Sequence, residues 1–80
     1  LKTNPRSVRK LTTERDKFIQ KIKQLENDIV LWENNIGFFA KSPSAENMIR
    51  EVQEKINSAK KTIKTLEEKV RLIDQMGSDD

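Results

Sequence analysis

Apolar residues recur along this chain in steps of three and four, in two ladders separated by one break. The first ladder is Val8, Leu11, Phe18, Ile22, Leu25, Ile29, Trp32, Ile36 and Phe39, with Arg15 on its one charged step. The second is Ala45, Ile49, Val52, Ile56, Ala59, Ile63, Leu66, Val70 and Ile73. A 3.5-residue apolar repeat held this long marks helices that pack along a narrow seam. The break around Gly37 to Ser42 is too short for a domain linker and reads as a turn. The pattern predicts an all-α fold: an antiparallel two-helix coiled-coil hairpin, completed to a bundle by self-association.

The punctuation sets the expected boundaries. Pro5 discourages helix at Asn4, so residues 1–6 read as an irregular lead-in, with Asn4 or Ser7 as the cap. The first helix is expected over 7–36, a rod of about 45 Å at 1.5 Å per residue. Gly37 can take the left-handed conformation that closes a helix, and Phe38 would then fold back on Trp32 or the stem of Glu33. After a turn at 37–42, Ser42 is a cap candidate with Pro43 at the first helical position and Glu46 near the positive helix end. The second helix is expected over 43–76, with Gly77 ending it and 77–80 as a tail.

Heptad phase allows two registers. Ile22, Ile29 and Ile36 fall at a, and Phe18, Leu25 and Trp32 at d; in the second helix Ile49, Ile56, Ile63 and Val70 are a, and Val52, Ala59, Leu66 and Ile73 are d. Layering a against d works when facing residue numbers add to 81 or to 88. At 81, Asp28 flanks Lys55 and Glu14 flanks Lys69. At 88, Lys21 meets Lys69, with Glu26 to Lys60 as the one attraction. Charge and a turn centred near residue 40 favour 81, although each exposed pair contributes only a few tenths of a kcal/mol. Trp32 would then face Ile49, and Ile22 would face Ala59.

Apolar residues off the ladders include Ile19, Val30, Leu31, Met48, Leu72 and Met76. Most lie outside the pair's own seam, and Ile19, Val30, Leu31, Met48 and Leu72 form the candidate face for a partner helix. Eighty residues give one small domain, and a two-helix hairpin buries less than a compact globule of that length. A partner is therefore expected, either a second copy in a homodimer or other helices of a parent protein. The start at Leu1 and the end at Gly77-Ser78-Asp79-Asp80 read as those of an excised fragment.

The composition narrows the chemistry. There is no cysteine and no histidine, which removes thiolate chemistry and the commonest general base and metal ligand. The longest apolar run, Ile29-Val30-Leu31-Trp32, is far short of the roughly 20 residues of a membrane span. With no signal-peptide pattern, a cytoplasmic location is expected. Glu67-Glu68 and Glu51/Glu54 are helix-surface acids rather than carboxylates paired in a pocket, and only two glycines are present, too few for a phosphate-cradling loop. Neither an enzyme, a cofactor, a metal nor a small-molecule substrate is expected.

Charge is unevenly spread. Residues 1–24 carry eight Lys or Arg against Glu14 and Asp16, while residues 25–46 carry Lys41 against four acids. Lys55, Lys60, Lys61 and Lys64 form an acid-free stretch. Lys17, Lys21, Lys23, Lys60, Lys61 and Lys64 could make a phosphate-binding belt for RNA or DNA, salt-sensitive and blind to sequence. No aromatic is interleaved to stack bases, so the plainer reading is a solvated face. Arg15, at a core a position, reads as a snorkelling side chain; otherwise it fixes register or pairs with an acid on a partner helix.

The tip is the most distinctive stretch. Trp32, Phe38 and Phe39 supply most of the aromatics, and they read as a hydrophobic cap where the helices diverge or as a docking knob for another protein. Asn34 and Asn35 can satisfy free carbonyls at the helix end.

Residues Leu25 to Ser42, followed by the charged helix around Ile49-Arg50-Glu51-Val52-Gln53-Glu54-Lys55-Ile56, resemble the C-terminal helical region of bacterial proteins carrying domain-of-unknown-function 349 repeats, Bacteroidetes type. The specificity of the resemblance rests on Glu33 through Phe39. It implies that the hairpin ended a longer multi-helical protein, and it brings no catalytic residues with it.

Overall fold

The structure, a computed structural model, describes residues 5–78, with side chains described from Leu11 to Gly77. The expected cap at Asn4, the Val8 side chain and the last two tail residues lie outside what is described. Pro5, Arg6 and Ser7 are already helical, so Ser7 is not a cap and the lead-in expected through residue 6 ends before Pro5. Helix α1 spans Pro5–Phe39 and helix α2 spans Glu46–Ser78, joined by a turn and a single 3-10 turn at Pro43–Ala45. The helices pack side by side as a hairpin 62 Å long and 14 by 13 Å across. No strand occurs among the described residues.

The first helix does not stop at Gly37. It continues to Phe39, and neither glycine has a positive φ. The apolar ladder explains this, since Phe39 is itself a seam step and one more helical turn half-buries it. That burial offsets the roughly 1 kcal/mol that glycine costs within a helix. The chain reverses after Phe39, where the Ser42 amide donates to the Phe39 carbonyl at 3.0 Å. Ser42 has the extended backbone of a cap, but its hydroxyl lies 3.2 Å from the Ser44 hydroxyl and makes no capping bond. Gly77 likewise lies within α2, which runs on to Ser78.

The later turn resets the register. Arg15 Nε donates to Asp74 Oδ1 at 2.6 Å, and the Lys69 ammonium sits 5.5 Å from the centre of the Phe18 ring. These pairs bracket a register in which facing residue numbers add to 88, and the buried cluster of Ile29, Ile56 and Ala59 agrees with it. The expectation of 81 was incorrect: it centred the turn near residue 40, whereas a longer α1 and the 3-10 turn move that centre toward residue 44. The repulsion expected at 88 between Lys21 and Lys69 is relieved because Lys69 leans over Phe18, a cation–π contact.

The seam is one layer thick. Among the described residues only Ile29, Ala45, Ile56, Ala59 and Leu66 are buried, and each still exposes 5–9% of its surface. Leu25, Trp32, Ile36, Val52 and Ile63 pack half-buried around the central cluster. Within α2, the Thr62 and Thr65 hydroxyls donate to the Ser58 and Lys61 carbonyls at 3.1 and 3.2 Å, so both stay satisfied inside the helix.

Candidate interaction surface

Ala59 shapes the middle of the hairpin. In the observed register it lies level with Ile29, between the levels of Leu25 and Trp32. A methyl group there cannot fill the flank of the seam. The result is an open groove of about 550 Å³, with Leu25, Trp32 and Ala59 as its apolar part and Ser58, Thr62, Lys55, Glu51 and Glu54 around them. A second, smaller hollow of about 60 Å³ sits near the tip, lined by Asn35, Ile36, Phe39, Met48, Ile49 and Val52.

The charge changes along α2. Glu51 and Glu54, with Lys55 beside them, line the tip end of the groove, and Lys61, Lys64 and Lys69 line a separate shallow hollow toward the stem together with Thr65 and Glu68. Glu68 is held by Arg71 within α2 and Lys69 lies over Phe18, which leaves Lys61 and Lys64 as the free charge of that hollow. The ion pairs among the described residues use none of Glu51, Glu54, Lys61 and Lys64. The register extends this polarity to the whole rod. Residues 25–63, which form the tip half in this register, carry six acids and five bases, while the rest of the chain carries seven acids and eleven bases.

The tip aromatics divide. Phe38 is 81% exposed, whereas Trp32 and Phe39 are half-buried. The Phe38 and Phe39 rings meet edge to face at 5.1 Å. Trp32 packs into the central cluster and Phe39 into the tip hollow, while Phe38 faces solvent and does not fold back on α1 as expected, because the helix continues through Gly37 beneath it.

The expected partner-helix face is scattered. Val30, Leu31, Met48 and Leu72 are indeed exposed, as is Met76, but Ile19 is half-buried. At 100° per residue, Leu31 and Leu72 point away from the seam on one face of the hairpin, about 22 Å apart along it, and Val30 turns toward the other face. Met48 lies by the tip hollow. The structure does not bring these residues onto one surface.

The basic belt also shifts. Lys17, Lys21 and Lys23 lie level with residues 65–71, and Lys60 and Lys61 lie level with Asp28 and Asn27, so the two lysine groups no longer face each other and acids lie among them. Arg15, with its head paired to Asp74, has its pKa raised by that hydrogen bond and by the carboxylate's charge. The 81 register does not pair these two residues, because it sets Arg15 opposite Leu66, eight positions from Asp74. Their proximity is legible at 88, where Asp74 follows the d residue Ile73 that faces Arg15.

Among the described residues no group of three or more acids could hold a metal ion. No described helix is long and apolar enough to cross a membrane. Comparison with protein-family models, curated proteins and solved structures finds no match to the chain.

Proposed function

We propose that this chain is a structural, protein-interaction coiled-coil module of a larger helical protein, cytoplasmic and without catalysis of its own, that works by association. The observation that carries this reading is the imbalance between core and surface. Five small or medium side chains are buried, while Val30, Leu31, Phe38, Met48, Leu72 and Met76 are each about half exposed or more. Such apolar exposure favours contact with another helical surface. The partners are a second copy of the chain and, as the resemblance to the domain-of-unknown-function 349 proteins implies, neighbouring helices of a bacterial parent protein.

Sedimentation velocity on the isolated chain tests it. The expected result is a mass that rises from monomer toward dimer through the micromolar range, with helicity rising in step. A folded monomer at high micromolar concentration would count against it.

A second reading rests on the lysine-lined hollow of Lys61, Lys64 and Lys69. There the stem binds the phosphate backbone of RNA or DNA, and binding falls steeply with salt. Reversing Lys60, Lys61 and Lys64 to Glu should abolish low-salt RNA binding. If the unaltered chain binds no RNA at low salt, this reading fails.

A further inference from the structure

We infer that the occupant of the Ala59 groove is a second copy of this chain, lying antiparallel, with the two-fold axis passing near Ser58 and Thr62. The inference rests on the self-association reading above and adds the face and the orientation.

Charge supplies the orientation. Acids Glu51 and Glu54, with Lys55 beside them, stand at the tip end of the groove, and Lys61 and Lys64 line the neighbouring hollow on α2 toward the stem. A two-fold contact presents the same patch from both copies, so it must be self-complementary. An antiparallel two-fold at the groove sets each copy's acids against the other's lysines. A parallel arrangement would instead set acid on acid and lysine on lysine, which is repulsive at these levels of both rods.

Shape and area supply the occupant. The groove is apolar at its centre, where the axis passes, and charged at its rim, as protein–protein contacts are. The chain exposes 6760 Å², against about 5,000 Å² for a compact monomer of its mass. The excess is about twice the 800 Å² that each partner contributes to a stable interface of ordinary size. About 30 Å of overlap between two such rods supplies an interface of that size.

Two charge-reversed variants test this, E51K/E54K and K61E/K64E. All four positions are exposed and outside the hairpin's ion pairs, and Lys and Glu have similar helix propensity. Each variant alone should lose dimerisation by at least about tenfold in Kd. Mixed one to one, they should recover it as a heterodimer, since one carries lysine at both ends and the other glutamate at both. A Ser58→Cys variant, in a chain that has no cysteine of its own, should oxidise to a disulfide-linked dimer, and Lys41→Cys at the tip should not. Dimers that persist in both reversed variants, or that cross-link through Lys41→Cys, would overturn the antiparallel arrangement and leave self-association standing. An unaltered chain that stays monomeric would overturn both.

Discussion

Arg15 and Asp74 meet across the seam at 2.6 Å, although 59 residues separate them in the chain. Arg15 occupies an a step where every neighbouring rung is apolar, so a misaligned hairpin would leave a guanidinium in the seam without a carboxylate. The pair is more than a third exposed on both sides, and its net stabilisation is accordingly small. Its main consequence is specificity, because only one of the two registers allowed by the ladders brings these groups together. Arg15→Leu should raise the melting temperature while allowing the seven-residue slip, and Arg15→Asp with Asp74→Arg should restore the single register. Thermal unfolding combined with distance measurement across the seam checks both. An Arg15→Leu chain that keeps one register would show that the pair does not select it.

Gly37 lies inside α1, and a Cβ built there meets nothing within 4 Å. Gly37→Ala should therefore stabilise the hairpin by about 1 kcal/mol, the helix-propensity difference between the two residues. A glycine needed for a left-handed cap would give the opposite sign. Chemical denaturation of the variant, at a concentration where association is constant, reads the sign directly.

Truncation of the central cluster should be the most damaging single change. Ile56→Ala removes a buried side chain packed with Ile29 and Ala59 and should cost about 2 kcal/mol, the low end for an isoleucine in a core because solvent is close by. Phe38→Ser should change monomer stability little, since Phe38 is largely exposed. The ratio of the two effects, from urea unfolding, tests the one-layer seam.

Stability should be flat between about pH 6 and pH 9. Arg15 has its pKa raised, as a base held charged by its hydrogen bond to Asp74 and by that carboxylate's field. A raised base stabilises the fold at every pH below its unfolded value and loses that contribution only as pH rises through the still higher folded value, far above this window. The chain has no histidine to titrate within it. A melting temperature that moves by several degrees across the window would contradict this.

The hairpin was legible in the sequence because the two ladders hold one phase over many turns and a single break separates them. The seam residues Ile29, Ile56, Ala59 and Leu66 follow from that phase alone. The register was not legible. Two alignments differ by whole heptads and keep every apolar contact, so the choice fell to surface charges of a few tenths of a kcal/mol and to the turn's centre. Gly37 misplaced that centre, since local glycine chemistry was weighed above the half-burial of Phe39 on the next turn. The exposure of Val30, Leu31, Met48 and Leu72 followed from heptad phase. Their scatter around the rod did not, because it depends on both helices' orientation at once. The Ala59 groove went unread for the same reason: a small residue in a ladder looks like any other rung until its neighbours' levels are known.

The pairing of Leu25 and Trp32 with Ala59 in the groove and the placement of Arg15 both depend on the register, and disulfide trapping measures that register directly. Two double variants suffice in a chain without cysteines, oxidised at a concentration low enough to favour links within one molecule. Ile22→Cys with Leu66→Cys joins positions whose numbers add to 88, and Ile22→Cys with Ala59→Cys joins positions that add to 81. Seven residues are about 10 Å of helix, beyond the roughly 7 Å that Cα atoms can be apart in a disulfide. Rapid intramolecular closure of the first pair and none of the second is the predicted result. Closure of the second pair in place of the first would contradict the fold described here.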